Sequence, residues 1–236
     1  MSYYLIIGIT FLVSFIVNLI LKRKFQEFSK FHLHSYMSGK EIAEKMLEDN
    51  GITDVDVLLI EEEGNLTDHY NPMNKTINLS QIVYNGRNAA SIAVAAHECG
   101  HALQHKVGYN LLKIRNRLIF ILNFSSKFTN ITIMAGLTIF YNSGGKDSLI
   151  LQLGIALFFL IVFFYFLTLP IEFDASNRAL KWIKKKNIVN YQEYNKAKES
   201  LNWAAMTYVI SALGSLAQLI YFLSFFFTGI NKKDDK

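Results

Sequence analysis

Residues 149–169 read LILQLGIALFFLIVFFYFLTL, an apolar run without a charged side chain. As a helix it rises about 30 Å, the thickness of a bilayer's hydrocarbon core. Three more segments have this character: Tyr3 to Leu21, Leu118 to about Tyr141, and Met206 to Phe227. The first has no basic region ahead of its apolar core and no small-residue cleavage site behind it, so it reads as a retained anchor. The second is interrupted by Asn123, Ser125, Ser126, Lys127 and Asn130, a polar stripe expected to face other helices or a water-filled cavity. Hydrophobic residues make up 51% of the chain and charged ones only 18%, which is too apolar for an ordinary soluble domain. The expected fold is a mainly α integral-membrane protein with about four transmembrane helices.

The net charge of +5 does not call for a nucleic-acid partner. Of the 24 Lys and Arg, twelve fall in 22–117 and seven in 170–205, flanking the spans. Lys22-Arg23-Lys24 directly follows the first span, whereas few basic residues lie on the other side: Lys146 in the loop 142–148, and Lys232, Lys233 and Lys236 at the tail. By the positive-inside rule, 22–117 and 170–205 are both cytoplasmic and the termini lie outside. Two crossings separate these segments, so a metal site could draw on both. The single cysteine, Cys99, allows no internal disulfide and fits a reducing compartment.

The two polar segments read as a small α+β cytoplasmic region, forming a single domain over 1–236 with the spans. Residues 38–50 have the pattern of an amphipathic helix, with Ile42, Ala43, Met46 and Leu47 on its apolar face and Asn50-Gly51 at its end. Val55 to Ile60 is β-rich and precedes an acidic turn, Glu61-Glu62-Glu63-Gly64-Asn65. Asn71-Pro72 marks a turn before an alternating run at 75–79, expected to be an edge strand that a substrate could extend. A helix is predicted over 88–106. A cytoplasmic helix continuing from the third span is predicted over 171–186, starting after a break marked by Pro170.

The predicted 88–106 helix carries His97-Glu98-Cys99-Gly100-His101. A spacing of four puts both imidazoles on one helical face, where they can share one tetrahedral cation. Glu98, beside the first of them, is placed to act as general base on a metal-bound water. Two imidazoles with a carboxylate make zinc the default ion. Gly100 lets another element pack close to this helix. By helix geometry Cys99 points away from the histidine face and reads as a packing residue.

Three residues are candidates for the third ligand. His105 is a further four residues along, but one straight helix cannot easily offer three successive turns to one ion. His69 lies in a loop and could reach in. Glu172, after the third span and on the side predicted for the His helix, is the best placed of the three. Around the site, Asp174, Ser176 and Asn177 could accept an imidazole N–H. Arg178 and Tyr70 could stabilise an oxyanion.

Asp68-His69-Tyr70-Asn71-Pro72, the run from Lys75 to Ser80, Val94 to His105, and Leu169 to Ala179 together resemble the YugP-like neutral zinc metallopeptidases of bacteria. The resemblance extends over nearly the whole chain and its four-span layout. It is distantly similar to the HtpX-like and CAAX-processing membrane proteases, which begin an E-x-x-x-D element with the zinc-binding Glu. That likeness implies Glu172 as ligand, with Ser176 standing where the Asp would be and an acid at Asp174 instead. It implies a zinc-dependent endopeptidase holding one Zn2+, multi-pass in the bacterial cell membrane, with a zincin-like active site at the inner surface. Its partners would be the lipid bilayer and polypeptide substrates in or near it. A non-catalytic adaptor retaining the metal-site fold is the alternative, but an adaptor has no need of Glu98. A transporter built on Asn123, Lys127, Asn130 and Gln218 would want a paired acid and base inside a span, and none carries one.

Overall fold

A computed structural model of the chain describes residues 3–30, 36–60, 67–145 and 149–234, with side chains to residue 224. The acidic turn at 61–65, Lys146 and Lys236 lie outside the described residues, as do the side chains of Lys232 and Lys233. The elements are α1 (Tyr3–Ser29), α2 (Gly39–Asp49), β1 (Asp56–Ile60), β2 (His69–Asn71), β3 (Thr76–Ser80), α3 (Gln81–Tyr84), α4 (Ala89–Lys106), α5 (Asn110–Asn142), α6 (Leu149–Lys185) and α7 (Tyr191–Asp234). The protein is therefore mostly helical with one small sheet. Each of α1, α5, α6 and α7 is long and apolar enough to cross a membrane. The chain divides into two compact units, one of residues 1–15, 114–169 and 208–236, the other of residues 16–113 and 170–207.

The first unit is helical. Its core is Ile133 and Phe140 of α5, Leu151, Ile155 and Val162 of α6, and Leu219 and Phe222 of α7. Glycine sets the α5–α6 spacing: a Cβ on Gly136 would lie 2.5 Å from the backbone of Leu151, and one on Gly154 2.9 Å from the backbone nitrogen of Ile133. The polar stripe of α5 divides between two faces of the helix. Ser125 and Thr129 are buried, but Asn123, Ser126, Lys127 and Asn130 are exposed.

The second unit brings together residues from both polar segments. Its core joins Ile42, Ala43, Met46 and Leu47 of α2, Ile77 and Leu79 of β3, the alanines of α4, and Ala179 and Ile183 of α6. The start of α2 is fixed by a capping box: Ser38 Oγ accepts the Glu41 N–H at 3.2 Å, and the Glu41 carboxylate accepts the Ser38 N–H at 2.6 Å. The sheet has the order β1-β3-β2, with β1 parallel and β2 antiparallel to β3. The run expected to be an edge strand is therefore the central one, with both its edges paired, and β2 supplies the free edge nearest the histidine helix. Three residues behind Asn71-Pro72 are too short a strand to show periodicity.

Pro170 does not break the third apolar helix; α6 runs through it. A proline inside a helix removes one hydrogen bond and costs about 3 kcal/mol. Burial of Ile171, Ala175 and Ala179 just beyond it offsets that cost.

Candidate metal centre

The histidine helix is α4. Asn88 caps it by accepting the Ser91 N–H at 2.9 Å, and the alanines that follow favour helix and take up little room. The residue that packs against Gly100 is Ala175 of α6: a Cβ at position 100 would come within 2.5 Å of the Ala175 carbonyl oxygen. This close backbone approach delivers Glu172 to the histidines. Its Oε2 lies 3.3 Å from His97 Nε2 and 3.6 Å from His101 Nε2. Among the described residues these form the one cluster of His, Cys, Asp or Glu able to hold a metal ion, with ligand atoms all within 4.8 Å of one another.

Each imidazole is held from behind by its Nδ1. Ser176 Oγ is 3.1 Å from that of His97, and Gln104 Oε1 is 3.0 Å from that of His101. The orientation of the Gln104 amide follows from its other partners: Nε2 donates to Ile171 O at 2.8 Å and to Asp174 Oδ2 at 2.9 Å. Its oxygen therefore faces His101, whose Nδ1 must carry the proton. His101 Nε2 then faces a carboxylate oxygen in a buried place, a pairing satisfied by a positive charge between them, whether a shared proton in the empty site or a metal ion in the filled one. Nitrogen and oxygen ligands about 2.0–2.2 Å from a tetrahedral zinc lie about 3.3–3.6 Å apart, as both imidazole–carboxylate pairs do here. The donor set thus fits zinc.

Gln104 is fully buried, and no feature of the histidine motif itself names it. Its position three residues after His101, on the same helical face, is the signal that could have found it. Gln104→Leu is expected to weaken zinc binding about 10- to 100-fold, the usual cost of losing a residue that orients a ligand. Competition against a chromophoric chelator measures this.

Glu98 is buried, and its Oε2 accepts the Tyr70 N–H at 2.9 Å. Burial is the main cause that pushes its carboxyl up to about 8; the charge of His97 opposes this, while Glu172 and Asp68 reinforce it. Glu172 experiences the opposite balance. Burial alone would raise it, but hydrogen bonds from His101 and His97 hold it far below the usual carboxylate range. Two neighbouring carboxyls are thus driven apart, one towards holding a proton and one towards permanent charge.

The other candidates fall around this centre. Asp174 reaches His101 only through Gln104 and is paired with Arg178 at 2.6 Å. Asn177 is on the exposed side of α6. His105 binds the Tyr70 hydroxyl through Nδ1 at 2.7 Å. His69, exposed on β2, sits 2.8 Å from Thr67 O and 3.3 Å from Asn78 Nδ2. Cys99 is buried against Ala43 O, away from the cluster.

A helical protein with bilayer-length apolar helices and a His-His-Glu cluster beside a raised carboxyl falls in the class of membrane metallopeptidases. The family described as "Putative neutral zinc metallopeptidase" matches residues 3–227, and the chain belongs to it. The chain is similar to "Putative membrane protease YugP" of Bacillus subtilis (strain 168), with 39% identity over 223 residues, 94% of either chain. No solved structure matches it.

Proposed function

We propose that the chain is a zinc endopeptidase anchored by four membrane-spanning helices, cutting membrane-associated or membrane-proximal polypeptides. The observation that carries this reading is the convergence of His97 Nε2, His101 Nε2 and Glu172 Oε2, with the Glu98 carboxyl close enough to feel the charges of His97 and Glu172. Those three residues would hold one zinc ion, in a two-histidine, one-carboxylate set that leaves a position open for chemistry. When bound, the ion supplies a Lewis acid for water and the scissile carbonyl, and a positive charge that lowers the proton affinity of Glu98. Glu98 keeps one oxygen on the Tyr70 N–H, and among the described residues its other oxygen has no hydrogen bond. With that oxygen it takes a proton from the attacking water and hands it to the departing amine. Gln104 and Ser176 keep the imidazoles turned with Nε2 forward.

The free edge of β2 is the better substrate rail, since both edges of β3 are taken. The Tyr70 N–H points off that edge to Glu98, so the Tyr70 carbonyl leaves the strand on the same side and can accept a substrate N–H. A peptide laid there runs past the general base. Both polar segments contribute to one compact unit, which supports their lying on one side of the cell membrane. The excess of Lys and Arg in them favours the cytoplasmic side of a multi-pass, single-domain enzyme.

The full chain, purified in detergent, is expected to cleave casein, to stop when a chelator removes its zinc, and to recover when zinc is restored. Cleavage that persists after zinc has been removed would refute the reading.

A further inference from the structure

Lys127 is the single charged residue within the four apolar segments 3–21, 118–141, 149–169 and 206–227. Its depth follows from the α5–α6 pairing in the first unit. Gly136 meets Leu151 and Gly154 meets Ile133, so the helices run antiparallel there. The same register carried about two turns further sets Lys127 level with about Leu160. Leu160 is the middle of the apolar run 149–169. The ammonium thus starts near mid-bilayer, more than a lysine stem's length from either surface.

Lys127 faces outward. Ser125, Thr129, Ile133, Gly136 and Phe140 form the buried side of α5, and Asn123, Lys127 and Asn130 the exposed side. Their spacings of four and three put the amides one turn above and below the ammonium, on one face. Ser126 is satisfied by its own helix through the Asn123 carbonyl at 3.4 Å. Among the described residues, Lys127 enters no ion pair, and the side-chain amides of Asn123 and Asn130 have no hydrogen bond. Polar groups of this kind inside a bilayer are retained for a partner, and an isolated charge needs a counter-charge.

This chain cannot provide that counter-charge. None of its four apolar segments contains Asp or Glu, so neither its own helices nor those of a second copy bring a carboxylate to this depth. A second copy meeting this face would bring another lysine. We propose that the Asn123–Lys127–Asn130 face of α5 docks a transmembrane helix of a different protein. That helix would carry one carboxylate at mid-bilayer depth, with amide or hydroxyl groups a turn to either side. The amides both donate and accept, so they set the register, while the ammonium selects the acid. The proposal rests on the reading of α5 as a membrane span, and not on the peptidase chemistry.

The test uses the full chain in vesicles of zwitterionic phosphatidylcholine, with a donor fluorophore at its C-terminal end. The probe is an acceptor-labelled Leu/Ala helix of about 20 residues with one central Glu flanked by Ser. Energy transfer is expected to report binding about tenfold tighter than that of the same peptide with central Gln. Lys127→Leu should remove the difference, and Lys127→Glu should switch the preference to a peptide with central Lys. Equal binding of the Glu and Gln peptides to the wild-type chain would overturn the proposal. So would self-association of labelled copies that depends on Lys127, which would assign the face to a second copy. Rapid labelling of Lys127→Cys, in a Cys99→Ser background, by a membrane-impermeant maleimide would also overturn it, by putting the face in water. Casein cleavage is followed in the same vesicles and should be unchanged by Lys127→Leu. A wild-type chain that selects the Glu peptide but cleaves nothing would leave this proposal standing and sink the peptidase reading alone.

Discussion

Glu98→Gln is expected to lower kcat for casein cleavage by about 10³-fold or more while zinc binding stays near the wild-type level, because in the proposed mechanism the carboxylate moves the proton and is not among the three residues proposed to hold zinc. A glutamine can still accept the Tyr70 N–H, so the position of the side chain is preserved. The same variant has a stability signature of opposite sign. In the metal-free protein the Glu98 carboxyl is pushed from its ordinary 4.5 up to about 8. Between those values the folded chain keeps a proton that the unfolded chain releases. The stability this group contributes is therefore complete below about pH 4.5 and is lost as pH rises towards about 8, amounting to a few kcal/mol. Glutamine has no charge to bury. Metal-free Glu98→Gln should melt above the metal-free wild type at pH 8, with a much smaller gap at pH 5. Thermal unfolding in detergent at the two pH values, beside single-turnover kinetics of the zinc-loaded forms, measures both effects. A gap that stays the same between pH 5 and pH 8 would show that the carboxyl is already ionised in the empty fold.

Glu172→Gln is expected to cost zinc affinity by about a hundredfold or more, at or beyond the upper end of what loss of an orienting residue costs. The carboxylate is the one permanent negative charge among the three proposed ligands, held charged by the two imidazoles it faces. His69→Ala and His105→Ala serve as the comparison, since each was a rival for the same role. With their rings bound to Thr67 and Asn78, and to Tyr70, both variants should keep zinc affinity within about a factor of two. Loss of zinc from either histidine variant, with Glu172→Gln unaffected, would reassign the third ligand. Isothermal titration with zinc on chelator-stripped protein separates the cases.

Much of this arrangement was legible in the sequence because it is written at short range. The apolar runs, the Ser38–Glu41 cap and the His97–His101 spacing are local patterns with a defined period. The approach of Glu172 was legible only as a joint inference, since 71 and 75 residues separate it from His101 and His97, and no periodic signal spans that distance. Pro170 misled because proline lowers helix propensity locally, while the buried residues after it are held by tertiary packing. The small sheet misled similarly: a three-residue strand decides which neighbour is central, yet leaves almost no pattern of its own. Gln104 was overlooked because a polar residue at a helix end usually reads as solvated, and its burial depends on Ile171 and Asp174, which come from elsewhere in the chain.

The central claim is that one ion sits between the two imidazoles of α4 and the carboxylate of α6. Anomalous diffraction from crystals of the zinc-loaded chain, collected on both sides of the zinc edge, tests it most directly. The account predicts one strong peak about 2.0–2.2 Å from His97 Nε2, His101 Nε2 and a Glu172 carboxylate oxygen. A peak bound by the histidines with Glu172 turned away, or a peak elsewhere in the molecule, would contradict it.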